Sequence, residues 1–377
     1  MDMIPFNRAG ALGRERELMA EALARGSILG DGPFGKRCEA LLEECTGAHR
    51  ALLTTSCTHA LEMAALLLDI RPGDEVVVPS FTFVSAANAF VLRGATPVFA
   101  EIRGDTLNLD ERLLPPLLTE RTRAVVAVHY GGVACEMDTI LAAAGKAGVP
   151  VVEDAAHALF GGYRGRPLGT LGALGALSFH ETKNFSCGEG GALLLNDGSF
   201  VGRAEILREK GTDRSRFWRG EVDKYTWRDV GSSWVLSDLS AAFLLGQLEQ
   251  HERVQARRRA LWERYRAALA DWAARHGVSL PHIPGDCAPA WHLFHLLLPD
   301  AAARAAFLAH MHAGGIAAVF HYLPLHTSPM GARFGGRAGI LPVTESVAAR
   351  IARLPFYTLM TDDEQDRVIA RVLDFAP

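Results

Sequence analysis

Lys183 ends the run Leu177-Ser178-Phe179-His180-Glu181-Thr182-Lys183, and the glycine-rich Gly188-Glu189-Gly190-Gly191 follows it. A lysine in a tight, partly buried turn can lose its proton and attack a carbonyl carbon. A lone lysine is more often a surface residue, and such glycines equally suit a hairpin or a close backbone approach to a ligand. A second apolar run, Val149-Pro150-Val151-Val152, ends in Glu153 and Asp154. Open α/β sheets bind ligands beyond the carboxyl ends of their strands, so an acid there can face a site. A helix cap or a solvated strand end is the plain alternative. A third run, Leu52-Leu53-Thr54-Thr55-Ser56-Cys57-Thr58, leads into a helical pattern. It places hydroxyls and free N–H groups at a helix N-terminus, where phosphate binds well, although serine and threonine cap many ordinary helices.

Each feature alone is weak, but the three together meet the needs of one cofactor. Pyridoxal phosphate (PLP) requires a lysine to hold its aldehyde, an acid to keep its pyridine nitrogen protonated, and a phosphate cup. All three candidates fall at strand ends of one expected sheet.

That sheet follows from the pattern up to Leu195. Apolar strands are expected at Ala51–Leu53, Glu75–Val78, Thr96–Ile102, Ala124–His129 and Val149–Glu153, with a strand pair at Gly175–His180 and Gly191–Leu195. Helical patterns at Thr58–Leu68, Val84–Leu92 and Met137–Ala147 lie between them. Near-continuous apolar strands alternating with helices predict a largely parallel sheet covered on both faces. Glu209–Trp227, rich in charges and aromatics, reads as a long functional loop. Leu236–Ala274 reads as one helical spine, with Ala241, Leu244, Leu245 and Leu248 on a single face. A strand (Trp291–Leu298), a helix (Ala301–His312), a strand (Ala317–His321) and a last helix (Asp362–Phe375) predict a small α+β domain. The 377 residues suit two or three domains at roughly 150 residues each.

Other functions find little support. The net charge is −4, from 39 basic and 43 acidic residues, so a nucleic-acid backbone has no basic stripe to meet. Arg257–Arg259 reads as a solvated helix face. The six cysteines form no CxxC pair, and no Cys/His cluster has zinc spacing. The polar start, Met1 to Arg14, lacks the apolar core of a signal peptide, and no apolar run reaches ~18 residues. A cytoplasmic chain with reduced thiols, off the membrane and without a metal, is the expectation. Gly30-Asp31-Gly32-Pro33-Phe34-Gly35-Lys36 has P-loop spacing, but Arg37 stands where Mg²⁺ binding needs Ser or Thr. A turn before a helix is the better reading. No G-x-G-x-x-G lies between a strand and a helix, and G-x-S-x-G and H-E-x-x-H are absent.

The sequence resembles the DegT/StrS sugar aminotransferases over nearly its whole length. The matching pieces are Ser56-Cys57-Thr58, Pro79-Ser80-Phe81-Thr82-Phe83, Glu153-Asp154-Ala155-Ala156-His157, Ser178 to Lys183, Gly188 to Gly191, Pro324-Leu325-His326 and Leu354-Pro355. The resemblance implies an α/β chain of the fold type I PLP-dependent transferases. It would have a large domain (13–245) around a mostly parallel seven-stranded sheet. A smaller α+β C-terminal domain (246–377) would follow, with segment 1–12 packing near it. It also implies roles. Lys183 would carry PLP as a Schiff base and shuttle the proton. Asp154 would pair with the pyridine nitrogen. Phe83 would stack on the ring, against the alternative of a core aromatic. Thr58, the backbone at Cys57, and Ser178 would hold the phosphate. His157, usually glutamine in the family, would contact the ring hydroxyl.

Many members carry Gly-Tyr-Asn-Tyr-Arg before the long helix, whose Asn reaches the neighbouring subunit's phosphate. Here Gly231-Ser232-Ser233-Trp234 replaces it. With Val222 to Trp227, it is similar to the branch that makes dTDP-4-amino-4,6-dideoxygalactose. Ser233 would take the Asn position, making two subunits complete each site of a homodimer. The implied reaction moves the amino group of L-glutamate to the keto carbon of dTDP-4-keto-6-deoxyglucose. Arg214, Arg216, Arg219 and Lys224 are candidates for the diphosphate or the glutamate carboxylate, against the alternative of a charged surface loop. His321 and Tyr322 would line the sugar pocket or fill the domain junction. Two rivals remain: a PLP-dependent sugar dehydratase, which would carry histidine in place of Lys183, and a silent sugar-nucleotide sensor on the same fold.

Overall fold

Runs of valine, leucine and alanine too apolar to face water on either side form the central sheet. The structure, a computed structural model, describes residues 3–376. Its first strands are β1 (Arg50–Thr54), β2 (Glu75–Pro79), β3 (Thr96–Ala100), β4 (Thr122–Val128) and β5 (Val151–Asp154). A short hairpin, β6 (Gly162–Tyr163) and β7 (Arg166–Pro167), precedes β8 (Leu174–Ser178) and β9 (Gly191–Leu195). Seven of these build one sheet in the order β1-β9-β8-β5-β4-β2-β3. Only β9 runs against its neighbours, as expected of a mostly parallel sheet. All five residues of β2 and of β9 are buried, the signature of strands covered on both faces.

Helices α1 (Glu15–Ala24), α2 (Pro33–Thr46), α3 (Cys57–Leu67), α4 (Ser85–Val91), α5 (Met137–Lys146) and α6 (Val201–Arg208) flank the sheet region. The glycine-lysine stretch is a turn and a helix start: Pro33 takes the first turn of α2, where its missing N–H costs nothing. α3 begins sharply because Ser56 Oγ accepts from His59 N at 3.1 Å. α1 was not foreseen in the sequence; α2 was expected only as the helix that follows this turn.

The expected spine is two helices, α8 (Asp238–Leu248) and α9 (His251–His276), after the short α7 (Arg214–Trp218). The break falls at Glu249-Gln250. α8 buries most of its surface against α1 and α2, whereas α9 turns away to carry the C-terminal region. An apolar period is blind to such a change of axis. The 209–227 segment is also more ordered than a loop. It contains α7, and bridges Glu209↔Ser233 and Thr212↔Trp227 pin its ends. Asp213 ties it together, accepting from Thr226 N and Arg228 Nε, each at 2.7 Å.

Beyond α9, β10 (Cys287–Ala288) pairs with β6. β11 (His295–Leu297) pairs with β12 (Ile351–Arg353), framed by α10 (Ala301–Ala313), α11 (Pro329–Ala332), α12 (Pro342–Arg350) and α13 (Asp362–Leu373). The strand read at 291–298 is shorter than expected. The one read at 317–321 is a single bridge, Val319↔Arg353, because its neighbour β12 is only three residues long. Trp262, Tyr265, Trp272 and Phe294 fill this region's own core. Ile4 bridges Ile316, Phe356 N donates to Phe6 O, and Arg8 pairs with Glu364 at 2.9 Å. Residues 1 and 2 of the 1–12 segment lie outside the described residues. Among the described residues no helix is long and apolar enough to cross a membrane.

Candidate active site

Register brings the separate motifs to one level. Gly191 lies opposite Thr54 on one side and Ser178 on the other. β5 runs beside β8 with Asp154 opposite Ala176. The ends of β1, β5 and β8 therefore open into a single cavity of about 740 Å³, whose far wall is Phe320 to Leu323 and Arg353.

Lys183 lines that cavity. Its turn is fixed by Lys183 N to His180 O at 2.9 Å and Glu181 N to Gly188 O at 2.8 Å. The next residue, Asn184, anchors the turn from below, donating to Ala290 O at 2.6 Å and bonding His292 Nδ1 at 2.9 Å. Burial pushes the Lys183 amine down to about 8; Cys57 and Asp154 pull it back up, and Arg353 pushes it further down. A usable fraction is therefore the neutral nucleophile near neutral pH.

The two acids at the end of β5 divide the work, because neighbours on a strand face opposite sides. Glu153 is sealed in the interior. It meets His129 Nε2 at 2.8 Å and accepts from the backbone N–H groups of Gly169, Leu171 and Gly172 at 2.6–2.8 Å. Burial opposes charge on His129, but Cys135 and Glu153 hold its pKa up at about 10. Asp154 lines the cavity. Burial raises its pKa, while Ala156 N at 3.1 Å, Lys183 and His129 favour its charged form. Among the described residues, no cation sits within 4.0 Å of Asp154, so its second oxygen stays available.

At the N-terminus of α3, the backbone N–H groups of Cys57 and Thr58 donate to no acceptor among the described residues. Thr58 Oγ1 and Ser85 Oγ lie 2.7 Å apart, and Ser178 lines the same cavity. Phe83 is 57% exposed at the rim, with its ring 6.3 Å from that of Tyr322. The core aromatic of this motif is its neighbour Phe81. His157 stacks on His292 at 4.1 Å and accepts from Gly131 N through Nδ1 at 3.3 Å. Burial, then the charges of Lys183 and Arg353, keep it neutral. Its proton is thus assigned to Nε2, as a donor. His321 and Tyr322 also line the cavity, and His321 Nδ1 lies 3.0 Å from Tyr130 OH.

Five expected residues, Arg214, Arg216, Arg219, Lys224 and Ser233, are not brought to this cavity. Arg219 is spent on Glu205 at 2.9 Å and Glu221 at 2.5 Å. Lys224 and Ser233 are exposed on the outer segment. The reason is local: this stretch carries its own acids, and they fold its arginines back on itself, as Arg216 does with Glu221. Arg353, Asn184 and His129 were missed. A lone arginine inside the apolar run Ile351 to Phe356 was the available signal for the first.

The residues present fit PLP. An amine with a lowered pKa, a buried carboxylate with a free oxygen and a cup of unpaired N–H groups share one cavity. Gly191 shows the cup is built to be tight, since a Cβ there would stand 2.4 Å from Cys57 N. Fold and site together define an aminotransferase that works with PLP. The chain belongs to the DegT/DnrJ/EryC1/StrS aminotransferase family, whose profile matches residues 11–373. It is 35% identical over 373 residues to the spore coat polysaccharide biosynthesis protein SpsC of Bacillus subtilis, covering 96% of this chain and 95% of that one. Its fold matches that of DesV from S. venezuelae (TM-score 0.90, 32% identity, 100% of both chains). It also matches the PLP form of the sugar aminotransferase Spr1654 from Streptococcus pneumoniae (TM-score 0.90, 25% identity, 98% and 97% of the chains). The protein is a PLP-dependent sugar aminotransferase.

Proposed function

We propose that the amino group of L-glutamate passes to the 4-keto carbon of a nucleotide-linked 4-keto-6-deoxy sugar. The substrate read from the sequence is dTDP-4-keto-6-deoxyglucose, and the product dTDP-4-amino-4,6-dideoxygalactose. The observation that carries the reaction is Lys183 and Asp154 lining one cavity. The stretches Val222 to Trp227 and Gly231 to Trp234 support the choice of sugar.

Bound PLP supplies an aldehyde carbon that exchanges amines and a ring that takes up the electron pair left when the donor loses its Cα proton. The chain's residues do the rest. Lys183 Nζ would take the Cα proton and return it to the carbon on the other side of the transferred nitrogen, and in the second half-reaction it would work in reverse. Asp154 would keep the ring nitrogen protonated, and Ala156 N–H, Lys183 and His129 favour its ionised form. Cys57 N, Thr58 and Ser178 would hold the phosphate. Phe83 would cover the ring face, and His157 Nε2–H would donate to the ring hydroxyl. His321 and Tyr322 bound the sugar pocket.

The working unit in this reading is a homodimer. Phe83, Val84, Phe320 and Leu323 form an exposed apolar rim round the cavity mouth, a surface that a second copy would bury. The exposed Ser233 and Lys224 would then serve the partner's site. The six unpaired thiols suit a reducing cytoplasm.

Product analysis tests the proposal. The PLP-loaded protein, given L-glutamate and a panel of dTDP- and UDP-keto sugars, is expected to aminate a dTDP-4-keto-6-deoxy sugar. Amination confined to another carbon or nucleotide overturns the substrate. No change of the visible PLP band with glutamate overturns the donor.

A further inference from the structure

Lys183 and His157 come from the ends of different strands, and one buried side chain touches the support of both. His292 lines the cavity and is 3% exposed. Its Nδ1 lies 2.9 Å from Asn184 Oδ1. Asn184 donates through its amide nitrogen to Ala290 O at 2.6 Å. The atom it turns to His292 is therefore the carbonyl oxygen, and His292 Nδ1 carries the donated proton. The face of the His292 ring stacks on that of His157, with centroids 4.1 Å apart and planes inclined by 19°.

The main chain beneath His292 is held from several sides. Ala290 N donates to Gly132 O at 2.9 Å, and Ala290 O accepts from Asn184. Arg258, itself buried, donates to the carbonyls of Trp291 and His292 at 2.8 and 2.6 Å. Stacking needs uncharged rings, since two imidazolium groups in contact repel. Burial first, then His157 and the cations Lys183, Arg258 and Arg353, keep His292 neutral. Among the described residues neither Arg258 nor Arg353 has a carboxylate within 4.0 Å to offset its charge. His157 has a tether of its own, from Gly131 N to Nδ1, but one bond leaves the ring free to tilt about it. The stack removes that freedom.

We infer that His292 is a positioning residue that fixes the turn of Lys183 through Asn184 and the plane of His157 through ring stacking, so that one side chain aligns both groups with the cofactor. This deepens the proposed roles of Lys183 and His157 and rests on them. The aldehyde and the hydroxyl of PLP are neighbours on one ring. An amine aimed at the first and an N–H aimed at the second must therefore be set against each other to within about 0.5 Å. β5 and β8 end in separate turns, and a turn alone leaves a side chain its torsions. A single imidazole meets both needs, bonding the residue after Lys183 with its edge and covering His157 with its face. A histidine that merely filled the core would need neither contact.

Two substitutions separate the contacts. His292→Asn keeps an N–H near the place of Nδ1 and loses the ring; His292→Phe keeps a ring and loses the N–H. The rate at which the PLP-free protein captures pyridoxal phosphate reports the turn of Lys183. The pH midpoint of the visible band of the PLP-loaded protein reports the donor at the ring hydroxyl. His292→Phe is expected to slow capture by about tenfold, through the loss of one buried hydrogen bond, and to leave the band's midpoint in place. His292→Asn should capture within about threefold of wild type, while its midpoint rises by about half a pH unit or more, because an unstacked His157 no longer holds its N–H on the hydroxyl oxygen. Should His292→Phe not fold, Asn184→Ala takes its place in the capture measurement, with the same slowing expected. Equal changes of both variants in both measurements, or no change in either, overturn the role of His292. Borohydride reduction of the PLP-loaded wild type, followed by mass spectrometry, tests the reading beneath it. A pyridoxyl group on a lysine other than Lys183 would sink that reading; a label on Lys183, with the two variants alike, would sink the role of His292 alone.

Discussion

Gly191 on β9 lies so close to the start of α3 that an added Cβ would stand 2.4 Å from Cys57 N. The contact is with backbone, which cannot swing aside, so any side chain at 191 must push the helix N-terminus outward. That N-terminus carries the free N–H groups proposed to grip the phosphate. Gly191→Ala is therefore expected to weaken PLP by roughly tenfold or more, a loss of about 1.4 kcal/mol. Fluorescence titration of the PLP-free protein measures it. Affinity equal to wild type would mean that the cup does not depend on this approach.

The lowered pKa of Lys183 gives a pH signature. The value of about 8 lies below the ordinary 10.5, so the neutral amine gains ground at lower pH than in a free lysine. Capture of pyridoxal phosphate by the PLP-free protein should rise about tenfold per pH unit below 8 and level off above it. Stopped-flow absorbance follows the rate. A half-maximum near 10.5 would show that burial does not tune this amine.

Asp154→Asn keeps the shape and removes the charge. The ring nitrogen then loses the partner proposed to hold its proton, and the electron sink weakens. Turnover is expected to fall by about 10²–10⁴-fold, while the protein still takes up PLP through Lys183. Steady-state kinetics beside the cofactor content separates the two effects. Equal loss of PLP and of activity would recast Asp154 as a binding residue.

The central sheet was readable because its strands are buried on both faces. Val76 to Val78 and Leu193 to Leu195 are apolar without a break, a pattern that an exposed strand does not tolerate. The chemistry of Lys183, Asp154 and Thr58 was readable because strand ends and a helix start carry positional meaning. What could not be read depends on contacts far apart in sequence. The break at Glu249-Gln250 is decided by α1 packing on α8. Arg219 is taken from the cavity by Glu205, fourteen residues earlier and on another helix. Arg353 becomes exceptional only when the surrounding fold withholds an acid, which a sequence pattern does not reveal.

Glu153 offers the last prediction. It is fully buried and accepts four hydrogen bonds, one from His129 and three from the 169–172 turn. Glu153→Gln turns one acceptor oxygen into an NH₂ group that must face donors and takes the buried carboxylate away from His129. Breaking one side of a buried pair costs about 3–5 kcal/mol, so the denaturation midpoint of the PLP-loaded protein should fall clearly. Because the turn sits on the far side of β5 from the cavity, the amine of Lys183 should keep its reactivity at temperatures where the variant is folded. A variant as stable as wild type would show that the turn, and not the buried charge, holds this end of the strand.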